Sequence, residues 1–243
     1  MTKRVTAAML VIGDEILSGR TKDRNIGHLA DVLTVIGIDL SEVRIVGDEI
    51  DAISRHVREL SDGYDYLFTS GGIGPTHDDR TADGVSAAFG LPCIHDERAV
   101  ALLKAFYGER DLPFTDARRR MTRMPEGAEL VANPVSVAPG FRIRNVHVFA
   151  GVPKIFQAML DVVVPTLAKG TPLLSRSVPC DLGEGDIGEP LSGVQDRHPE
   201  TMIGSYPRYR NGGFSVEIVV RGADEGLVDA AVEDVEVTLG RLR

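Results

Sequence analysis

The stretch TSGGIGPTHDDRT, Thr69 to Thr81, follows the apolar run Tyr66, Leu67 and Phe68. It carries three glycines, a proline and two adjacent aspartates. Gly71, Gly72 and Gly74 let a backbone approach a ligand closely and turn its N–H groups outward. A helix opening just after, at Asp79 or Thr81, adds partial positive charge. Together these features read as an anion cradle, with phosphate the best candidate. Two common phosphate motifs are excluded. A Walker loop needs Gly-Lys-Ser/Thr, and no Lys is present here. A dinucleotide fingerprint needs glycine where His77 stands. Carboxylates beside such a cradle repel an anion unless a cation intervenes. Mg²⁺ or another divalent metal is the natural one, because it seeks oxygen and bridges carboxylates to phosphates. Asp48, Asp78, Asp79 and Glu15 are therefore candidate metal ligands or acid/base groups. Against this stand simpler readings: an aspartate before a helix often only caps it, and glycines after a strand often only turn the chain.

What must position these residues is a run of alternating elements. Val5 to Ile12 is a near-continuous apolar run, expected as a strand buried on both faces. In DRNIGHLADVLTVIG, residues 23–37, Ile26, Leu29, Ala30, Leu33 and Ile36 share a helical stripe; Asp23 caps it and Gly37 ends it. IDLSEVRIV (38–46) is expected as a strand. A helix follows over 48–60, with Ile50, Ile53, Val57 and Leu60 inward, and YDYLFTS (64–70) is the third strand. This β-α-β-α-β-α order implies a parallel sheet with helices on both faces. In such a sheet ligands sit beyond the carboxyl ends of the strands. Three acidic pairs fall there: Asp14 with Glu15, Asp48 with Glu49, and Asp78 with Asp79.

After Gly90 the pattern loosens. Residues 96–110 and 114–124 read as helices, and 146–170 as a last strand and helix, with Pro165 near the helix end. A boundary falls at 170/171, giving a unit of 1–170 and a small α+β unit of 171–243. In the second, a strand at 173–182, a weakly helical stretch, strands at 201–206 and 214–222, and a final helix are expected. RNGGF (210–214) is its hairpin turn. Leu227, Ala231, Val235 and Leu239 repeat along that helix.

The whole chain has 243 residues, 43% of them apolar, and a net charge of −9. That balance is ordinary for a globular protein, and the charge argues against a phosphate-backbone partner. Trp is absent, so stacking platforms for single strands are not expected. The densest basic run is ARRRMTR, 117–123. Cys93 and Cys180 lie far apart without a CxxC spacing, and the expectation is two buried thiols in a reducing cytoplasm. No run reaches the roughly 18 apolar residues of a membrane span.

The residues also resemble a known family, the MoaB/Mog molybdopterin-binding domain, in the form found at the N-terminus of CinA (competence/damage-inducible) proteins. The resemblance rests on IGDEILSG (12–19), Asn25, VGDE around Asp48, SGGIGPTHDDRT (70–81), NPVSVAPGF (133–141) and AGVPKIFQAM (150–159). It spans about residues 5–169 and implies a three-layer α/β/α fold with a mostly parallel sheet. It implies a phosphate cradled by Gly71, Gly72 and Gly74 with Ser70 and Thr76 as hydroxyl donors, and Asp48 and Asp79 as the working aspartates. Asp14, Glu15 and Asn25 match further positions at the site edge. Asn133, Pro139 and Gly140 match the region closing over the ligand. The implied chemistry is metal-dependent hydrolysis of ADP-ribose, or adenylylation of a pterin phosphate with molybdopterin as ligand. A binding-only role is the third alternative, and a homo-oligomer is expected. Three departures stand out: Ala150 replaces the proline of the usual PGVPxEM, Ile155-Phe156 replaces its Glu-Met, and Ser136 replaces a usual glycine. The C-terminal deamidase domain of full CinA proteins is not expected here.

The tail resembles the small KH-like domain of those proteins. GDIG (185–188) has the GXXG form of a KH loop. Residues 171–243 nevertheless carry a net charge of −6, so nucleic acid is not expected as a partner.

Overall fold

The computed structural model describes residues 4–210 and 213–242. Its contacts divide the chain into two units, one ending at Gly170 and one starting at Thr171.

The larger unit begins with β1 (Val5–Ile12), α1 (Asp14–Leu17), α2 (Asn25–Val35), β2 (Ile38–Val46), α3 (Ile50–Gly63), β3 (Tyr66–Ser70) and α4 (Thr81–Phe89). It continues with β4 (Cys93–His95), α5 (Glu97–Gly108), α6 (Asp116–Arg120), β5 (Arg123–Pro125), β6 (Glu129–Val131), β7 (Gly140–Ile143), β8 (Val146–Phe149) and α7 (Pro153–Val163). Six strands form one sheet in the order β2-β1-β3-β8-β7-β6. The first four run parallel, and β7 is antiparallel to both β8 and β6. Alternation along β1 explains the layers. Ala8, Leu10 and Ile12 join a core with Ile53, Val57 and Leu60 of α3 and Val85 of α4. Ala7, Met9 and Val11 join the opposite core with Leu29 and Leu33 of α2 and Phe156, Met159 and Leu160 of α7. Burying each of the Val, Leu, Ile, Met and Phe side chains among these stabilises the fold by about 1.5–3 kcal/mol. This is the expected three-layer α/β/α arrangement with a mostly parallel sheet.

Several local expectations change. The helix expected over 114–124 is only the five residues of α6. Met124 and Pro125 are buried instead, as β5 pairs antiparallel with β4. Cys93 is half-buried rather than buried; both cysteines are free.

The smaller unit holds β9 (Leu174–Cys180), α8 (Glu184–Arg197), β10 (Met202–Arg210), β11 (Gly213–Gly222) and α9 (Glu225–Gly240). Its sheet is antiparallel in the order β10-β11-β9. Val178, Val216, Ile218 and Val220 pack on Ile187 and Val194 of α8 and on Val228, Ala231, Val235 and Leu239 of α9. Leu227 is 40% exposed, and Val228 takes the inward place expected of it. GDIG does not form a loop: it lies in the first turns of α8, which opens at Glu184. The expected RNGGF turn includes Asn211 and Gly212, which fall outside the described residues.

Candidate functional site

The strand order 2-1-3 creates a switch point between β1 and β3, where connections leave to opposite faces and a crevice opens at the carboxyl edge. A cleft of about 470 Å³ lies at that edge. Its walls include Glu15 and Thr21 after β1, Gly71 to Pro75 and Asp79 after β3, and Gly151 to Pro153 after β8. Met121, Asn133, Ser136, Ala138, Ala150 and Ile155 complete the lining.

The glycine loop is fixed by backbone and side-chain bonds on its hidden side. Gly71 donates its N–H to the Phe149 carbonyl at 3.1 Å, so this N–H is used by the fold. Gly71 O accepts from Thr81 Oγ1 at 2.9 Å, and Gly72 O accepts from the Thr81 N–H at 3.0 Å. Gly72 has φ +67°, and a Cβ there would lie 2.1 Å from Thr81 Oγ1, so only glycine fits. Among the described residues no protein acceptor takes the N–H of Gly72, Ile73 or Gly74. Those three consecutive donors belong to residues that line the cleft.

Asp79 does not cap α4. The N-cap position is Arg80, without a side-chain cap. The Asp79 carboxylate turns back instead: Oδ2 accepts from the Thr76 N–H at 2.8 Å and from Thr76 Oγ1 at 2.6 Å. Thr76 thus spends its hydroxyl on closing the loop. Asp78 is exposed.

Asp48 stands in a different setting. Its Oδ2 accepts the Asp14 N–H at 3.0 Å. Burial holds its carboxyl above the usual range; the neighbouring charges of Asp14, Glu15 and Asp78 act the same way, while the Asp14 N–H opposes them. Asp48 is therefore a carboxylate with a raised affinity for a proton or a cation. Among the described residues, however, no group of three or more His, Cys, Asp or Glu is gathered so as to hold a metal ion. Asp48, Asp78 and Asp79, expected as a ligand set, do not form one.

Asn25 and Ser70 line a second, smaller pocket that shares Glu15, Thr21, Gly71, Gly151 and Pro153 with the cleft. Asn25 is 2% exposed; its Nδ2 donates to Ser70 Oγ at 2.8 Å and to the Gly151 carbonyl at 2.9 Å. It thereby ties the end of β3 to the turn after β8. Asp23 positions it, accepting the N–H groups of Asn25 and Ile26.

On the far wall, Asn133 organises its own loop. Its Oδ1 accepts from the N–H groups of Val135 and Ser136, and its Nδ2 donates to Ser136 Oγ and the Ala138 carbonyl. The hydroxyl of Ser136, where a glycine is usual, is thus part of the loop's closure. Pro139 and Gly140 are buried and do not line the cleft. A Cβ on Gly140 would meet the Val148 carbonyl at 2.2 Å, so this glycine serves sheet packing.

The structure therefore brings together Glu15, Gly71, Gly72, Gly74, Asp79 and Asn133 on one cleft. Asp14, Asp48 and Asp78 lie near Glu15, Asn25 and Ser70 line the adjoining pocket, and Thr76, Pro139 and Gly140 act as supports. Sequence reasoning did not single out Thr21, Met121 or Gly151 as lining residues. Only the order of strands, which sets β8 beside β3, reveals Gly151.

Fold and site define an α/β protein with a cleft at the carboxyl edge of its sheet and unpaired backbone donors along one wall. The chain belongs to the probable molybdopterin binding domain family, whose model matches residues 8–169. Residues 172–241 match the FAD synthase middle domain, which the expected KH-like resemblance had not included. The probable FAD synthase of Caenorhabditis briggsae is 33% identical over 90% of this chain and 46% of its own length. A protein of Archaeoglobus fulgidus is 30% identical over 97% of this chain and 98% of its own. The crystal structure of the protein CinA with unknown function from Thermoplasma acidophilum superposes with a TM-score of 0.61 at 32% identity. That match covers 66% of this chain and 98% of that one. The chain spans about half the length of the FAD synthase relatives it matches. No described helix is long and apolar enough to cross a membrane.

Proposed function

We propose that the larger unit binds the phosphates of an adenine nucleotide diphosphate and hydrolyses the bond between them. ADP-ribose is the first substrate and FAD the second. The observation that carries this reading is the run of unpaired N–H groups at Gly72, Ile73 and Gly74, on the same cleft as Glu15 and Asp79. FAD enters because relatives named probable FAD synthase align with both units, and FAD carries the same AMP-pyrophosphate portion. In the reaction, water attacks one phosphorus and the bridging oxygen leaves with the other phosphate, giving AMP and ribose 5-phosphate from ADP-ribose. The proton of the water is assigned to Asp48, which does not line the cleft itself but stands near Glu15, which does. Its raised affinity for a proton suits a general base better than an ordinary aspartate. The loop donors neutralise charge growing on the phosphate oxygens. Mg²⁺ or another divalent ion belongs to this proposal as part of the nucleotide complex, since these carboxylates make no preformed cage and Mg²⁺ is commonly held by one or two carboxylates plus phosphates.

A second reading, adenylylation of a pterin phosphate, is favoured by the description of the matching family model. The two separate by titration calorimetry with ADP-ribose, FAD and AMP in the presence of Mg²⁺. Micromolar binding of the diphosphates, weakened by Gly72→Ala, supports a nucleotide cleft. No heat with any of them overturns it and leaves the pterin reading. Binding without turnover makes the protein a carrier of the ligand.

A further inference from the structure

The geometry points to Arg120 as the positioning residue that holds the glycine loop in its anion-binding shape, by clamping the peptide carbonyls at the loop's far end. This inference rests on the phosphate reading of the cleft for its consequence, though not for its geometry.

Arg120 ends α6, whose start is fixed by Thr115: its hydroxyl accepts the Arg118 N–H. The Arg120 side chain then crosses to a segment 41 residues earlier. Its Nη2 donates to the Asp79 carbonyl at 2.9 Å and reaches the His77 carbonyl at 3.4 Å. These two carbonyls follow Thr76, the residue onto which the Asp79 carboxylate is folded. The loop is thus closed by Asp79 from within and pinned by Arg120 from without. Both contacts leave one nitrogen, Nη2, whose two N–H groups the guanidinium plane holds at a fixed angle.

The charge of Arg120 is shared rather than matched by one close partner, since it acts on both Asp83 and Asp78. The nearest carboxylate, Asp83, is taken by Arg123 through both terminal nitrogens, and lies 4.0 Å from Arg120. Arg120 Nε is buried without an acceptor. With Gly72, Gly74 and Asp79, Arg120 and Arg123 line a small pocket behind the loop. A cation beside these loop residues, which also line the cleft, favours an anion bound there. The basic run at 117–123, which suggested no partner by itself, thereby acquires a role: Arg120 in the clamp, Arg123 in neutralising Asp83, and Arg119 exposed.

The test compares wild type with Arg120→Gln, Arg120→Lys and Arg119→Gln. Hydrogen exchange is followed at the amides of Thr76, Asp79 and Thr81, which the loop's own bonds protect, and ADP-ribose affinity is measured in parallel. Arg120→Gln is expected to speed exchange at these three amides about tenfold while leaving β1 and β3 unchanged, and to weaken ADP-ribose about tenfold. Arg120→Lys, which keeps charge but not the fork, falls between. Arg119→Gln removes the same charge without a clamp and stays within about twofold of wild type. Unchanged exchange in Arg120→Gln, or equal losses in Arg119→Gln, overturns the inference. If wild type binds no ADP-ribose, the phosphate reading fails, and the exchange measurement still decides the clamp.

Discussion

Lowering the pH from 7 toward 4 is expected to weaken the larger unit by about 3 kcal/mol through a single side chain, His147 in β8. His147 is 1% exposed, and neither ring nitrogen has a hydrogen-bond partner. Its ring stacks on Phe68, with centroids 5.2 Å apart and planes 22° from parallel. Burial pushes its pKa from 6.5 to about 4, Arg142 pushes the same way, and Glu129 opposes. The folded state therefore keeps the imidazole neutral where the unfolded chain has begun to bind a proton. Above pH 6.5 neither state is protonated and His147 has no effect. Between pH 6.5 and 4 the unfolded state gains a proton that the folded state refuses, and stability falls by about 1.4 kcal/mol per pH unit. Below about pH 4 the loss saturates. The assay is denaturant-dependent hydrogen exchange at the Phe68 and Val148 amides, which reports this unit by itself, in wild type and His147→Phe. The variant is expected to differ from wild type by a constant packing offset at pH 7 and to gain about 2–3 kcal/mol on it at pH 4.5. Carboxylates that titrate in the same window are common to both chains and cancel. Parallel stability curves across pH would refute the reasoning and show that the buried ring finds a partner or water.

Other consequences follow from the site. Asp48→Asn keeps an acceptor for the Asp14 N–H while removing a charge that burial and neighbours disfavour, so the melting temperature rises at pH 7 while turnover falls about 10²-fold or more; a lower melting temperature would contradict the assigned electrostatics. Because the Asp48 carboxyl is raised, its charge costs stability as pH rises above the ordinary aspartate range, and calorimetric scans of the two chains should diverge there. Gly72→Ala places a methyl against Thr81 in a left-handed backbone, at a cost of about 1–3 kcal/mol in thermal unfolding, with loss of phosphate binding. Asn133→Ala removes four hydrogen bonds from a residue 6% exposed, and about 2–3 kcal/mol of stability with them; a thermal shift under one degree would contradict that role.

The elements that carry the site were legible because their patterns are long. The eight-residue run of β1 and the stripe of α2 each supply several repeats of their period. β4, β5 and β6 have three residues each and β7 four, too few for any period, so neither the antiparallel edge of the main sheet nor the separate β4-β5 pair left a trace. The glycine loop's location was legible from its place after the third strand, but its wiring was not. Nothing in the order of residues tells that Gly71 spends its N–H on Phe149, or that Asp79 turns toward Thr76 rather than toward α4. A carboxylate one position before an N-cap can do either, and packing decides. Ala231, Val235 and Leu239 face inward as expected, but a strict four-residue spacing drifts from the 3.6-residue turn, so Val228 takes the place of Leu227 at the start of α9. Arg120 is further from legibility, since a long side chain reaching across 41 residues has no local signature.

The most direct measurement is release of AMP from ADP-ribose and from FAD, with Mg²⁺, Mn²⁺ or Co²⁺, by wild type and by Asp48→Asn. The account expects AMP from wild type with at least one metal, and none above background from a folded Asp48→Asn chain. No AMP from wild type under any metal, or equal AMP from both chains, would contradict it.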